Sequence, residues 1–354
     1  MGILTTLFWF VLMLGVLVLV HELGHFITAK RAGVKVQEFG VGYPPRLFAI
    51  KRGETEYSVN LLPLGGFVKL LGEEDPTEER SLASKGIGTR LIVLSAGSVM
   101  NALLPFVLFV VSYMIPKDTV VGPVVIAAVE PGSPAAMAGI QPGDKVLMVN
   151  DRRVRSLQDL SYDITLNLGS ETHLVLQRGG YEQVEATLVP RWNPPPGQGA
   201  IGVRMSLGAQ YTETQAYPVW EAVPLGIRKT FDVLTITKNE FIKMFIQSKA
   251  PEVAGPVGIA QMTGEVAQSG FGYLVEFTAF LSLNLAVINI LPFPMLDGGR
   301  IVFVILEGLR HGKRIPPEKE AFVHFVGLLV ILTLVIVISY QDVLRIIHGG
   351  STVP

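Results

Sequence analysis

Two histidines and a glutamate near the N-terminus have types and spacing suited to chemistry at a metal ion. His21 and His25 are four residues apart, and Glu22 directly follows the first of them. In a helix this spacing places both imidazoles on one face, where they can bind one Zn²⁺. Glu22 is then placed to take a proton from a water at the metal. The pattern predicts a hydrolytic zinc site with His21 and His25 as ligands and Glu22 as the base.

The motif lies at the end of a long apolar segment. Residues 3–20 carry no charge and run directly into His21. Ionisable side chains are costly in a membrane-spanning helix and usually mark a functional site there. The alternative is a pair of interfacial histidines whose rings reach out to water. The coincidence of ligand spacing with this position favours the metal site.

Composition indicates a protein that lies largely in a membrane. The chain has 354 residues, of which 49% are hydrophobic and 17% charged. Its mean hydropathy is +0.45. A membrane crossing needs about 20 apolar residues, and the predicted spans are 3–26, 91–115, 273–296 and 321–340. The sequence therefore predicts a multi-pass α-helical membrane protein with four transmembrane helices.

The net charge and the absence of cysteine limit which partners and which metal ligands are expected. The net charge is −1, so no nucleic-acid partner is expected. The chain has no cysteine, which excludes disulfides and thiolate ligands. Basic residues are concentrated in 27–90 and 297–320, which predicts that both segments are cytoplasmic. Residues 116–272 and both termini would then lie outside, with the metal motif near the cytoplasmic face.

The outer segment has two parts. Residues 119–190 alternate apolar and polar side chains between turn signals such as 131–134, which predicts a small β-rich domain. Residues 194–197 (PPPG) have the composition of a hinge. Residues 218–247 have an amphipathic helical pattern, and such a helix could lie on the membrane surface or pack on the β domain. On the cytoplasmic side, 56–62 and 66–70 have strand character and flank a hairpin-like break.

A third zinc ligand is expected, and Asp297 is the best candidate. Pro292 and Pro294 end the preceding helix, while Gly298 and Gly299 let the backbone turn closely behind the carboxylate. Local sequence alone leaves open whether Asp297 binds the metal or caps a helix at 297–309. Glu307, on that helix, is a rival ligand without the proline and glycine context.

The chain resembles the site-2 protease family of intramembrane metalloproteases, in particular its bacterial RseP/RasP type, over nearly its whole length. The block at 21–26 (HELGHF) matches the family's HExxH helix, and the block at 289–298 matches its NxxPxxxLDG motif. The resemblance implies His21, His25 and Asp297 as zinc ligands and Glu22 as general base. It also implies that Asn289 contacts the substrate backbone or stabilises the oxyanion. Without the resemblance, Asn289 could equally form a hydrogen bond between spans.

Further blocks resemble the same family. Residues 39–42 and 65–67 are similar to its membrane-associated β segment, which the family uses as an edge strand for an unwound substrate; an ordinary packed hairpin is the alternative. Residues 96–101 are similar to its Gly-Pro-x-x-Asn block, with Ser98 where proline is usual, so no helix kink is implied. Residues 119–190 resemble a circularly permuted bacterial PDZ domain, which would bind a peptide terminus or act as a size filter. Residues 255–259 resemble a block that we interpret as structural.

These observations predict four parts of the chain: 1–115, the first two spans with the HExxH motif and the cytoplasmic β segment; 116–192, an extracytoplasmic PDZ domain; 193–272, a linker and amphipathic helix; and 273–354, the last two spans with the LDG motif. The resemblance implies a protease of the bacterial cytoplasmic (inner) membrane. Its expected substrates are single-pass membrane proteins, such as an anti-sigma factor or a signal-peptide remnant.

The rival hypotheses are a non-enzymatic PDZ membrane adaptor and a transporter. His324, at the start of the fourth span, is interpreted as a packing or interfacial residue.

Overall fold

The structure is a computed structural model that describes residues 2–73, 75–248 and 254–348. Its helices are α1 (Ile3–Arg31), α2 (Ile87–Met114), α3 (Pro134–Met137), α4 (Leu157–Leu166), α5 (Val219–Gln247), α6 (Pro256–Ser269), α7 (Phe271–Ile290), α8 (Asp297–Leu309) and α9 (Pro317–Ile347). Its strands are β1 (Val36–Arg52), β2 (Thr55–Leu70), β3 (Lys117–Val121), β4 (Val124–Val129), β5 (Lys145–Val149), β6 (Arg152–Arg153), β7 (Thr172–Arg178), β8 (Glu182–Leu188), β9 (Val203–Leu207) and β10 (Tyr211–Gln215). They form two compact units, Met1–Ser112 with Val253–Pro354, and Tyr113–Glu252.

Within the described ranges, four helices are long and apolar enough to cross a membrane by length and composition: α1, α2, α7 and α9. They coincide with the four predicted spans. The prediction was wrong at one end, because α7 stops at Ile290 rather than continuing to 296. Pro292 and Pro294 lack amide hydrogens and disfavour helical backbone in the residues before them. The chain therefore leaves the helix and forms a short loop that ends at Asp297.

Strands β1 and β2 fold into a small curled sheet. Its central segment, 36–41, pairs with 66–70 on one side, running in the opposite direction. On its other side it pairs with 56–59, and there the residue numbers of both segments increase in the same direction. The chain must therefore reverse between 59 and 66, as the predicted break at 63–65 requires. Many apolar side chains of this sheet are exposed, including Leu47, Phe48 and Leu61.

The second unit is built around a β-sheet in the order β8-β7-β5-β4-β9, with β6 beside β5. The alternating apolar residues fill its core, which includes Val124, Ile126, Val146, Leu174 and Leu176. The predicted β-rich region at 119–190 is confirmed. The structure divides the chain differently from the predicted boundary at 192, because β9 pairs with β4 and β10 pairs with β3. Residues 203–215 therefore belong to the β-rich unit and are not part of a linker.

Helix α5 packs one face on this unit. The guanidinium of Arg152 donates two hydrogen bonds of 2.7 and 2.6 Å to Asp232. The buried Asn239 amide donates to the carbonyls of Thr165 and Leu166 at the end of α4. Other positions of α5 are exposed and apolar: Trp220, Ile227, Phe231, Phe241 and Phe245. Packing on the β domain, one of the two predicted alternatives, is therefore observed for one face of the helix.

Asp163 makes the stability of this unit depend on pH. Its side chain is 5% exposed and lies 3.6 Å from the Arg152 guanidinium. Burial raises the pKa of Asp163 to about 6 from its usual 3.8. The pKa of Asp163 is higher in the folded state than in the unfolded state. Its contribution to the free energy of unfolding is therefore fully present below pH 3.8, and it is lost as the pH rises through 6. A shift of this size corresponds to about 3 kcal/mol at most.

We therefore expect Asp163→Asn to raise the free energy of unfolding of the β-rich unit by about 1–3 kcal/mol at pH 7.5, and by much less at pH 4. Pulse proteolysis of the full chain in urea and detergent measures this difference. Glu185→Gln, at an exposed position of β8, is the matched control and should leave stability unchanged at both pH values. An equal gain from Asp163→Asn at pH 4 and pH 7.5 would show that burial of the charge is not the cause.

Candidate metal centre

Helix α1 presents His21 and His25 on one face, one turn apart. The Nε2 atoms of the two rings lie 3.2 Å apart, and each side chain is 12% exposed. The helix continues past them to Arg31, so the motif lies within regular helical backbone. The predicted ligand spacing therefore produces the predicted geometry.

Asp297 reaches the same point from the start of α8. Its Oδ2 lies 3.2 Å from the His21 Nε2 and 3.3 Å from the His25 Nε2. A Cβ added at Gly298 would overlap the backbone carbonyls of Ile290 and Leu291, so only glycine allows this close turn. The alternative role as a helix cap is wrong, because Leu296 is the N-cap and no side chain caps the helix. The Asp297 carboxylate is turned towards the imidazoles instead.

The three ligand atoms fit a tetrahedral zinc ion. Atoms bound at about 2.0–2.1 Å to a tetrahedral ion lie about 3.3–3.4 Å from one another, close to the observed 3.2–3.3 Å. The Asp297 Oδ2 is buried and has no correctly oriented hydrogen-bond donor among the described residues. A carboxylate oxygen and two ring nitrogens that converge in this way can hold a divalent cation.

One stripe of α2 orients both imidazoles. The His25 Nδ1 lies 2.8 Å from the Val93 carbonyl and donates a hydrogen bond to it, which leaves Nε2 with its lone pair for a metal. Two turns further on, the amide of Asn101 lies 3.5 Å from the His21 Nδ1. Its Oδ1 is buried and unpartnered within the described chain. A half-turn of this amide lets Oδ1 accept from the His21 Nδ1, which fixes the same tautomer.

Gly97 lies between these two residues on the same stripe. A Cβ added there would lie 2.6 Å from the Nε2 and Cε1 of His21 and would also overlap the Nε2 of His25. Such distances are far below van der Waals contact, so any larger side chain would displace the rings. The backbone of α2 thus forms the back wall of the metal centre, and only glycine leaves it enough room.

Glu22 and Asn289 complete the set of predicted site residues. Glu22 lies within electrostatic range of His21, His25 and Asp297, and the backbone amide of Val68 faces its carboxylate. Asn289 is half-buried in the last turn of α7, eight residues before Asp297 in the chain. Its side chain forms no hydrogen bond with any residue in the described ranges, so the alternative of a bond between spans is not observed.

Glu307, the rival third ligand, is occupied elsewhere. Its Oε2 accepts a hydrogen bond of 2.6 Å from Arg90, and its Oε1 one of 3.1 Å from Arg314. Sequence analysis matched 96–101, which contains Gly97 and Asn101, to a block of the family, but it assigned neither these two residues nor Val93 to the metal site. Their four-residue spacing with a glycine and an amide inside an apolar helix was the available signal, because small and polar residues in a span mark close packing.

Comparison with known proteins adds the family context. Residues 9–334 match the model of Peptidase family M50. A Clostridium acetobutylicum protein, whose name places it among zinc metalloproteases, is 37% identical over 94% of this chain and 96% of its own length. The zinc metalloprotease RasP of Oceanobacillus iheyensis is 31% identical over 97% of this chain and 100% of that protein. The regulator of sigma-W protease RasP of Bacillus subtilis is 29% identical over 96% and 99%.

Proposed function

Because the chain belongs to peptidase family M50, the site-2 proteases, and is therefore a zinc metalloprotease, we propose that it hydrolyses peptide bonds in or beside the spans of single-pass membrane proteins. The observation that carries this proposal is that the side chains of His21, His25 and Asp297 converge on one point. They do so from two helices, α1 and α8, that are rich in apolar residues. We assign these three residues as the zinc ligands. A membrane adaptor without enzymatic activity, one of the rivals, is contradicted by the family.

We assign the proton transfer to Glu22. We assign contact with the substrate backbone or with the developing oxyanion to Asn289. The zinc ion, when bound, supplies a Lewis acid that polarises the scissile carbonyl and acidifies water. Glu22 takes the proton of the attacking water and delivers it to the leaving amine. Asn289 donates a hydrogen bond to the substrate backbone or to the developing oxyanion, a role that suits a neutral amide.

The curled sheet offers a place for an extended substrate. None of the described strands pairs with the outer edge of 66–70. That edge lies beside the catalytic helix, since a Cβ at Gly66 would be 3.4 Å from the Glu22 Cγ. A helical substrate hides its amide groups, so it must unwind and pair before hydrolysis. The exposed apolar side chains of the sheet support its predicted contact with the lipid bilayer.

The β-rich unit and the topology complete the proposal. We assign the β-rich unit as a PDZ domain on the outer side of a bacterial cytoplasmic membrane, with the metal centre near the cytoplasmic face. The name of the Bacillus subtilis relative connects that protein with sigma-W regulation. For this chain, a membrane-bound anti-sigma factor already shortened on its outer side is therefore a suitable substrate class. The exposed apolar side chains of α5 support contact of this helix with the membrane surface.

Cleavage of a reconstituted single-pass substrate tests the proposal. Purified protein in liposomes should cut the substrate within its span, at a site located by mass spectrometry. A zinc chelator should stop the reaction, and added Zn²⁺ should restore it. A matched substrate with a uniform leucine span, which unwinds less readily, should be cut more slowly. Cleavage only in soluble loops, or no cleavage of several helix-destabilised spans, would contradict the intramembrane assignment.

The ligand assignment makes a separate prediction. Asp297→Ala should lower Zn²⁺ affinity by at least about 100-fold, because it removes one of three protein ligands. Glu307→Gln should leave the affinity unchanged, since its carboxylate is bound to Arg90 and Arg314. Competition with a chromophoric chelator measures both affinities. If Glu307→Gln lost zinc and Asp297→Ala kept it, Glu307 would be the third ligand and Asp297 would not.

A further inference from the structure

The loop that delivers Asp297 contains an unfavourable backbone conformation. Residues 291–296 connect α7 to α8 and include Pro292 and Pro294. Met295, two residues before Asp297, has a φ of +78°. Side chains with a Cβ rarely adopt this left-handed region, and such a residue persists only when its surroundings hold it there. The position of the carboxylate therefore depends on what holds Met295.

His324 of α9 contacts Met295 directly, in addition to the turn hydrogen bond from the Leu296 N–H to the Phe293 carbonyl. The backbone N–H of Met295 donates a hydrogen bond of 2.9 Å to the His324 Nδ1. Since a backbone amide only donates, Nδ1 must be the acceptor and the ring hydrogen lies on Nε2. His324 is 8% exposed, and its ring packs 5.5 Å from that of Phe303 on α8. The Glu320 carboxylate lies 3.9 Å from Nε2.

The next turn of α9 approaches the same loop. A Cβ added at Gly327 would lie 2.9 Å from the Pro294 carbonyl oxygen and would also overlap its ring. Glycine at this position lets the helix contact the loop directly. Residues 324 and 327 lie one turn apart on one face of α9, whose span is otherwise mostly exposed. One face of the last span is thus shaped to the residues that precede Asp297.

We propose that His324 is a positioning residue for the metal centre: it fixes Met295 in the left-handed conformation and thereby sets the place of the Asp297 carboxylate. The inference rests on the proposed ligand set and extends it to α9, which carries no ligand. Residues that orient a ligand typically change metal affinity by about 10- to 100-fold when they are removed. His324 accordingly belongs to the zinc site although it does not touch the ion or the substrate.

Rescue by glycine tests this role in the full-length protein. His324→Leu removes the acceptor and should weaken Zn²⁺ binding by about 10- to 100-fold in chelator competition. Met295→Gly alone should bind zinc as wild type does, because glycine adopts a positive φ without strain. The double variant Met295→Gly/His324→Leu should recover most of the lost affinity. His324→Asn, whose Oδ1 can take the place of Nδ1, should bind more tightly than His324→Leu. Phe325→Ala, at an exposed neighbouring position, is the control and should bind normally.

The outcomes separate this inference from the proposed function. Wild-type affinity in folded His324→Leu overturns it, and so does a double variant that binds no better than His324→Leu. Failure of both leucine variants to fold overturns it as well, since a role limited to one loop predicts a folded glycine variant. Asp297→Ala is measured in parallel. If that variant keeps its zinc, the ligand set itself is wrong; if it loses zinc while His324→Leu keeps it, only the role of His324 is wrong.

Discussion

Glu22→Gln should reduce the rate of peptide cleavage by about 10³- to 10⁴-fold while zinc remains bound. The carboxylate is the only group of α1 near the ligands that can accept a proton and is not itself assigned as a ligand. General acid–base catalysis by one positioned group contributes up to about 10⁴-fold. Glutamine keeps the volume and the hydrogen-bonding of the side chain but cannot carry the proton. The effect should therefore fall on kcat, with the affinity for substrate nearly unchanged.

The reconstituted cleavage assay measures this effect, with zinc content determined on the same sample. Glu318→Gln, at an exposed position in the first turn of α9, is the matched control and should cleave at the wild-type rate. Wild-type activity in Glu22→Gln would show that the base lies elsewhere. Loss of zinc together with activity would instead give Glu22 a structural role in the site.

Gly97→Ala should remove zinc from the protein although it adds only one methyl group. The new Cβ would overlap both imidazoles, and the backbone of α2 that carries it has no freedom to retreat inside the helix. The rings must turn away, which breaks the triangle of ligand atoms. We expect a loss of zinc affinity of at least about 100-fold, comparable to removal of a ligand, and a matching loss of cleavage.

Gly88→Ala is the control for this prediction, because it lies on the same helix and a Cβ there meets nothing within 4 Å. That variant should keep its zinc and its activity. Alanine is the better helix former, so neither substitution should weaken α2 itself. Normal zinc affinity in Gly97→Ala would mean that α2 stands further from the imidazoles than the structure shows.

The proposed ligands could be predicted from sequence, the two histidines from a local pattern and Asp297 only with the help of the family resemblance of its motif. His21 and His25 are related by the helical repeat, and Asp297 is framed by prolines and glycines that specify a turn. The four apolar helices follow from uninterrupted hydrophobic runs of sufficient length. The histidine pair and the apolar runs are continuous stretches of sequence, so the order of the amino acids is enough to find them.

The supporting contacts could not be predicted in this way. Val93 accepts from a histidine 68 residues away in the chain, and Asn101 contacts one 80 residues away. Which residue faces an imidazole depends on the rotation and register of two packed helices, and periodicity alone does not specify either. For the same reason His324 was interpreted as a packing residue. The strands β9 and β10 were missed because short strands after a proline-rich segment carry little local signal.

The proposed ligands come from distant parts of the chain, so a bound metal ion would also have a mechanical role. Residues 21 and 25 lie on the first helix and residue 297 on the eighth, so a bound ion ties the N-terminal pair of spans to the C-terminal pair. An ion that binds only the assembled helices stabilises the assembly by about 4 kcal/mol at a free concentration 1,000 times its Kd. The ion would thus add to the contacts that already join these helices, such as the hydrogen bonds from Arg90 to Glu307 and from Ser282 to the Asn101 carbonyl.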